Sequence, residues 1–205
     1  MLQLLRTKTS IPPARPKRID RARLLARVED GMQRALTLVV APAGFGKTTL
    51  VAAWAQTASV PVAWLSLEAA DRAPERFLNY LIHSIQQIAP QAGGTALALL
   101  HSGQAFPEEG VLYSLINDFV EIAHDFVFIL DDYHAADSPE IATIIQFLLE
   151  HRPANFHLSI TSRAAPDLNL ARLRALDQVA EITATDLRFN PEEVRASFQA
   201  STCFQ

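Results

Sequence analysis

Short apolar runs alternate along the chain with longer stretches in which apolar residues recur every three or four positions. Leu36 to Ala41 is apolar except for Thr37, the pattern of a strand buried on both faces. TTLVAAWAQTA, beginning at Thr48, predicts a helix, and Val60 to Leu67 a second strand. Phe77, Leu78, Leu81, Ile82, Ile85 and Ile88 then fall at helical spacing. Residues 90–110 carry Pro90, Gly93, Gly94, Gly103 and Pro107 and read as a loop with some weak helix. A further helix is expected from about Val111 to Ala123. FVFILDDYH is a strand ending in acids. SPEIATIIQFLLEH is a helix with Ser138 as its N-cap and Pro139 in its first turn. FHLSITSR supplies a fourth strand and VAEIT, residues 179–183, a short fifth. Strands separated by helices require crossover connections, so the pattern predicts an α/β fold with a parallel sheet of about five strands and helices on both faces.

The final stretch, LRFNPEEVRASFQ, opens another helix, with Asn190 as cap, Pro191 in the first turn and Glu192 and Glu193 favouring its N-terminus. The expected organisation is a basic, Pro-containing lead-in over residues 1–30, a main domain over 31–185, and the start of a truncated helical subdomain over 186–205.

Charge changes this picture only at the start of the chain. The formal net charge of the 205 residues is −4, which gives no overall attraction for nucleic acid or anionic lipid. Arg6, Lys8, Arg15, Lys17, Arg18, Arg21, Arg23 and Arg27 nevertheless crowd the first segment, with Pro12, Pro13 and Pro16 among them. A targeting peptide or a nucleic-acid arm has this composition. So does a solvated segment that straps onto the domain, and the Pro-punctuated pattern favours that strap. No apolar run approaches the length of a membrane span, and Cys203 is the only cysteine, so disulfides within the chain and cysteine-based metal sites are excluded. A cytoplasmic location is expected.

The chemistry sits at the strand-to-helix junction LVVAPAGFGKTTL, residues 38–50. A loop wrapped around phosphate needs glycines where the backbone turns with positive φ or approaches the ligand. Ala43, Gly44, Phe45, Gly46, Lys47, Thr48 and Thr49 occupy that loop, with backbone N–H groups directed inward and the helix N-terminus behind them. Ala41 stands where the usual pattern begins with glycine, but it lies at the strand exit and need not touch phosphate. Lys47 is placed for the β- and γ-phosphates of ATP or ADP and Thr48 for Mg2+. Asp131, at the end of an apolar strand, belongs at the same sheet edge as a second magnesium ligand, and Asp132 is positioned to orient or deprotonate water. Arg163, at the end of the next strand, is the candidate sensor of the terminal phosphate. These residues make the fold class a P-loop NTPase. His134 is read as packing or facing water, and Trp54 and Trp64 as core.

The segments PPARPKRIDRARLLARV, LVVAPAGFGKTTL, VAWLSLEAADRAPERFLNYL, FILDDYH, LSITSRAAPDLNLARLRA and DLRFNPEEV, in this order, resemble the ATP-binding module of the signal-transduction ATPases with numerous domains. Within that group they are most similar to the large LuxR-type, maltose-regulon activator-like transcriptional regulators of bacteria. The resemblance runs from about Ile11 to Phe198. It implies a module that binds ATP or ADP, whose nucleotide state controls self-association and transcription activation. It also implies that Gly44, Gly46, Lys47, Thr48 and Thr49 form the phosphate loop, that Asp131 and Asp132 are the magnesium and water-activating acids, and that Arg163 is the sensor. RIDRARLL resembles the part that packs near the adenine. This chain departs from the family at Glu68, Ala69, Ala70 and Asp71, where an acid-acid-glycine-acid run is usual. The downstream winged-helix, sensor and DNA-binding parts are absent after Phe198, so no direct DNA binding by this chain is expected.

A nucleotide-dependent switch with slow ATP hydrolysis is the function these residues favour. The alternative is a P-loop enzyme such as a small-molecule kinase, with Arg172 and Arg174 on a mobile lid. Paired acids suit water activation better than transfer to an alcohol. An ATP-driven nucleic-acid motor is a third class, opposed by the net charge and by the lack of interleaved basic and aromatic patches.

Overall fold

The computed structural model describes residues 4–13, 21–102, 108–191, 193 and 195. Five parallel strands form one sheet: β1 Leu36–Val40, β2 Val62–Ser66, β3 Phe126–Asp131, β4 Phe156–Ser162 and β5 Val179–Thr183. Their spatial order is β2-β3-β4-β1-β5. The helices are α1 Ala22–Gly31, α2 Lys47–Ala55, α3 Pro74–Gln86, α4 Gly94–Leu100, α5 Glu108–Val120, α6 Pro139–His151 and α7 Ala171–Ala175.

Strand alternation sorts the side chains onto two faces. Leu36, Leu38, Ala63, Leu65, Phe126, Phe128, Leu130, Leu158 and Ile160 enter the larger core with α3 to α6. Val39, Trp64, Val127, Ile129 and Ile182 enter the other, against Leu24 and Val28 of α1 and Leu50, Val51 and Trp54 of α2. Both faces are covered, which is why these strands read as continuous apolar runs. Parallel crossovers are right-handed, so the direction of travel across the sheet decides the face each helix takes. The β1-to-β2 step runs one way and puts α2 on one face. Every later step runs back and puts α3 to α7 on the other. The connections therefore diverge between the carboxyl ends of β1 and β4, and a crevice opens there.

Local signals explain several helix ends. Ser138 Oγ accepts the Ile141 N–H at 3.3 Å, and Pro139 occupies the first turn of α6. Asn190 and Glu193 cap each other reciprocally, Oδ1 accepting from the Glu193 N–H at 2.7 Å and Oε2 from the Asn190 N–H at 3.0 Å. The subdomain expected beyond this cap lies almost wholly outside the described residues, as do residues 14–20 of the lead-in.

Four details differ from the pattern in the sequence. The stretch expected as a loop with some weak helix contains a regular helix, α4, started by Gly93 at φ 78° with its N–H donated to Asp118 Oδ2 at 2.7 Å. The next helix begins at Glu108 and stops at Val120, and β2 is shorter than Val60 to Leu67. The basic lead-in is also less solvated than its charge suggests. Residues 22–31 are α1, packed in the core, and Lys8 and Thr9 are buried.

The turn Arg6–Lys8 packs on β2, which is an edge strand. Leu4 reaches the larger core, Ile11 the smaller one, and Gln56 Nε2 donates to the Pro12 carbonyl at 2.7 Å. Residues 4–13 thus cross the free edge of β2 as a strap and shield it from pairing with another chain. Lys8 fastens the strap by an ion pair to Asp71, which is fully buried and also takes Arg76 Nε at 2.9 Å. Among the described residues no helix is long and apolar enough to cross a membrane.

Candidate functional site

The crevice is built from the loop after β1 and the ends of β3 and β4. Gly44 and Gly46 have φ of 84° and 79°, the left-handed region that favours glycine, and an added Cβ at either would meet nothing within 4 Å. Backbone conformation, not crowding, thus demands these two glycines. Gly46 is the N-cap of α2, and its carbonyl accepts the Leu50 N–H at 2.9 Å. Ala41 is buried at the strand exit, its N–H donated to the Ser162 carbonyl at 3.2 Å, so it belongs to the sheet edge and stands clear of the loop's concave side.

Lys47 is only 6% exposed and folds back over the loop, Nζ donating to the Ala41 carbonyl at 2.8 Å and the Pro42 carbonyl at 3.1 Å. Burial lowers its pKa, with the Arg163 charge acting in the same direction and Asp132 and Asp131 opposing. Thr48 Oγ1 donates to Asp131 Oδ1 at 2.9 Å. Asp131 shares a sheet face with Val127 and Ile129 and so points toward α2, where Thr48 lies. On β4 the same alternation aims Thr161 at it, and Thr161 Oγ1 donates to Asp131 Oδ1 at 2.6 Å. Thr161 Oγ1 also accepts the Asp132 N–H at 3.0 Å. Burial raises the pKa of Asp131, and the two hydroxyl donors only partly oppose this.

Asp132 has φ 57° and leaves the strand line, its carboxylate partly exposed and 3.8 Å from His134 Nδ1. Arg163 follows β4 and is exposed. Its charge lowers the proton affinity of both Lys47 and His134, but no hydrogen bond or ion pair joins it to them among the described residues. Thr49, Phe45 and Ala43 complete the loop. Thr49 is half-buried, Phe45 packs partly against the α1 and α2 core, and Ala43 is exposed. Trp54 and Trp64 are buried in that core, as expected of them. Arg172 and Arg174 lie on α7, where Arg174 Nη2 pairs with Glu181 Oε1 at 2.8 Å.

Thr161 and His134, neither given a ligand or catalytic role from the sequence, stand beside Asp131 and Asp132. Period-2 counting back along LSITS would have placed Thr161 on the face of Asp131, given the strand neighbours. His134 carried no such signal.

The residues present fit a magnesium nucleotide. A buried lysine whose hydrogen bonds go only to neutral carbonyls has its charge uncompensated at contact distance, which suits an anion. Thr48 Oγ1 and Asp131 Oδ1 are adjacent hard oxygens of the kind Mg2+ takes, with phosphate and water as its other ligands. Among the described residues no three His, Cys, Asp or Glu side chains cluster to hold a metal by themselves.

A family model for the AAA ATPase domain matches residues 15–161. Three solved structures share the fold at low identity. A Walker-type ATPase of Pyrococcus abyssi aligns with TM-score 0.59 and 14% identity over 91% of this chain and 58% of that one. Cdc6p from Pyrobaculum aerophilum aligns with TM-score 0.57 and 15% identity over 93% and 52%. The Orc1 protein of Aeropyrum pernix, in complex with DNA, aligns with TM-score 0.53 and 13% identity over 92% and 50%. The alignments thus span between 50% and 58% of those chains, and at such identities the likeness is one of fold.

Proposed function

The chain belongs to the AAA ATPase domain family, and from that premise we propose that it is the ATP- and ADP-binding switch module of a LuxR-type bacterial transcriptional activator. The observation that carries nucleotide binding is the buried Lys47 beside the Thr48–Asp131 pair, at the crevice between β1 and β4. The loop N–H groups, Lys47 and the α2 N-terminus hold the phosphates. Thr48 and Asp131 hold Mg2+, which when bound neutralises charge on the phosphate oxygens. Asp132 accepts a proton from water as the water oxygen adds to the terminal phosphorus. The bond to the bridging oxygen then breaks, and that oxygen keeps the electron pair as ADP leaves. Arg163 senses the terminal phosphate. Hydrolysis is slow and resets the switch.

The nucleotide state controls self-association and the engagement of regulatory domains beyond this chain, and the protein is cytoplasmic. The proposed organisation is a lead-in over residues 1–30, a main domain over 31–185 and the start of a helical subdomain over 186–205, with α1 crossing the first boundary. Direct DNA binding is not part of this function. Arg21, Arg23 and Arg27 spend their guanidinium groups on the segment 181–193, through Leu187 and Arg188 carbonyls, Asp186 and Glu193. The test is to identify any nucleotide released on denaturation and to titrate ATP and ADP with magnesium by calorimetry, beside Lys47→Ala. Binding lost in the variant supports the cradle. Equal affinity in a folded variant refutes it.

A further inference from the structure

His134 lies in the turn Tyr133–Ala135, two residues past Asp132. Its Nδ1 is shielded from solvent without a hydrogen-bond partner among the described residues, and it stands 3.8 Å from Asp132 Oδ1. A buried ring nitrogen left in this state is uncommon, because a polar group stripped of water and given no partner is unfavourable. The backbone around it is fixed. The Asp132 N–H is bound to Thr161 Oγ1, Tyr133 is fully buried, and Arg72 Nε donates to the Ala135 carbonyl at 3.2 Å. A hydrogen bond of about 2.9 Å requires the two side chains to draw together from the 3.8 Å at which they stand.

We propose that His134 is a positioning residue for Asp132, its Nδ1–H donating to the carboxylate and holding one oxygen toward the attacking water. This rests on reading the site as one that hydrolyses ATP. The groups facing His134 come from three elements: Asp132 on its own turn, Lys47 at the start of α2 and Arg163 after β4. Burial and the two cations disfavour a charged ring, against the pull of Asp132. A neutral ring serves positioning well, because a neutral donor orients the carboxylate without taking away its basicity. A charged ring would pair with Asp132 and weaken it as a base.

The experiment uses the 205-residue chain with 15N-labelled histidine. Ring nitrogen shifts are recorded with and without Mg-ADP in wild type and Asp132→Asn, and ATP turnover is measured for wild type, His134→Ala, His134→Asn, Asp132→Asn and the Asp132→Asn/His134→Ala double variant. The Nδ1–H tautomer is expected in wild type and should shift in Asp132→Asn. His134→Ala should lower kcat about ten- to hundredfold with KM and ADP affinity within about twofold, and His134→Asn should recover most of it. In Asp132→Asn the further loss of His134 should change nothing. An Nε2–H tautomer indifferent to Asp132, an unchanged kcat in His134→Ala, or no recovery with Asn overturns the proposal. Wild type that binds ATP without ever releasing phosphate also overturns it, while leaving nucleotide binding intact. A folded wild type that binds no nucleotide instead refutes the site reading, and the tautomer shift still decides whether His134 meets Asp132.

Discussion

Asp131→Asn separates what a buried carboxylate does to the fold from what it does for a ligand. Asp131 is 3% exposed, and its Oδ1 accepts both the Thr48 and Thr161 hydroxyls. Burial leads the causes that raise its pKa above the ordinary 3.8, and the Asp132 charge adds to it. Below pH 3.8 both the folded and unfolded chains carry the proton. Between 3.8 and the raised folded value only the folded chain keeps it, so stability falls as pH rises through that window and stays lower above it. At pH 7 the ionised Asp131 therefore opposes folding. Asparagine keeps the shape and the accepting oxygen and removes the charge.

We expect the ligand-free variant to gain about 1 kcal/mol, as when buried ions are replaced by neutral groups of similar size. For a chain of this length that is about 2–4 °C in Tm. Mg-ATP at a hundredfold excess over Kd should stabilise wild type by about 2.7 kcal/mol, or about 5–11 °C, and Asp131→Asn should lose most of this gain. The assay is thermal unfolding with and without Mg-ATP, with urea midpoints from pH 4 to 8 to compare the slopes. A ligand-free variant that is less stable than wild type by about 1 kcal/mol at pH 7 refutes the electrostatic argument. A variant with the full Mg-ATP gain refutes the metal role.

Thr161→Val removes a donor from Asp131 and the acceptor of the Asp132 N–H at once, so a urea midpoint shift equivalent to about 2–4 kcal/mol is expected. A loss under about 1 kcal/mol would mean that water replaces the hydroxyl. Gly46→Ala meets no clash but must hold φ 79°, which costs about 1–2 kcal/mol in Tm measurements. An unchanged Tm would show that the loop relaxes freely. Asp71→Ala takes the buried carboxylate from Lys8 and Arg76, but Glu68 still pairs both, so the loss should fall below the roughly 3–5 kcal/mol of a wholly unpaired buried charge. Because Lys8 rides on a terminal strap it has another way out, and limited proteolysis should show faster cleavage within residues 4–13. Protection there equal to wild type would mean that Asp71 does not hold the strap.

The sheet was legible because a parallel strand between two helical layers is apolar on both faces, and the α6 cap because Ser138-Pro139 acts within one turn. The phosphate-loop residues fall together in the fold because the glycines, Lys47 and Thr48 are local in sequence, and the Thr48–Asp131 contact follows from both lying at one sheet edge. What escaped notice depends on distant partners. α4 starts where Asp118 accepts the Gly93 N–H, 25 residues apart. Lys8 is buried because Asp71 waits 63 residues on, and Arg21 finds the Leu187 carbonyl 166 residues away. Charge without its partner reads as solvated. His134, read from the sequence as packing or facing water, comes near Asp132 only through the left-handed turn at that residue.

Lys47 and Asp131 carry opposite charges in the same crevice, yet neither hydrogen-bonds the other. Lys47 turns to carbonyls and Asp131 to hydroxyls, and burial moves each toward its neutral form. A core selected for stability alone would bring the two together or replace both with apolar groups. Here the loop conformation set by Gly44 and Gly46 holds the lysine on one side, and the end of β3 holds the carboxylate on the other. Each then faces a space where a body of opposite charge is favourable, an anion at Lys47 and a cation at Thr48 and Asp131. A magnesium-bound nucleotide carries both charges in one molecule. Its binding would relieve two unfavourable burials that are both present at neutral pH: the Asp131 penalty sets in as pH rises through its raised pKa, and the Lys47 penalty is lost only as pH rises through its lowered one.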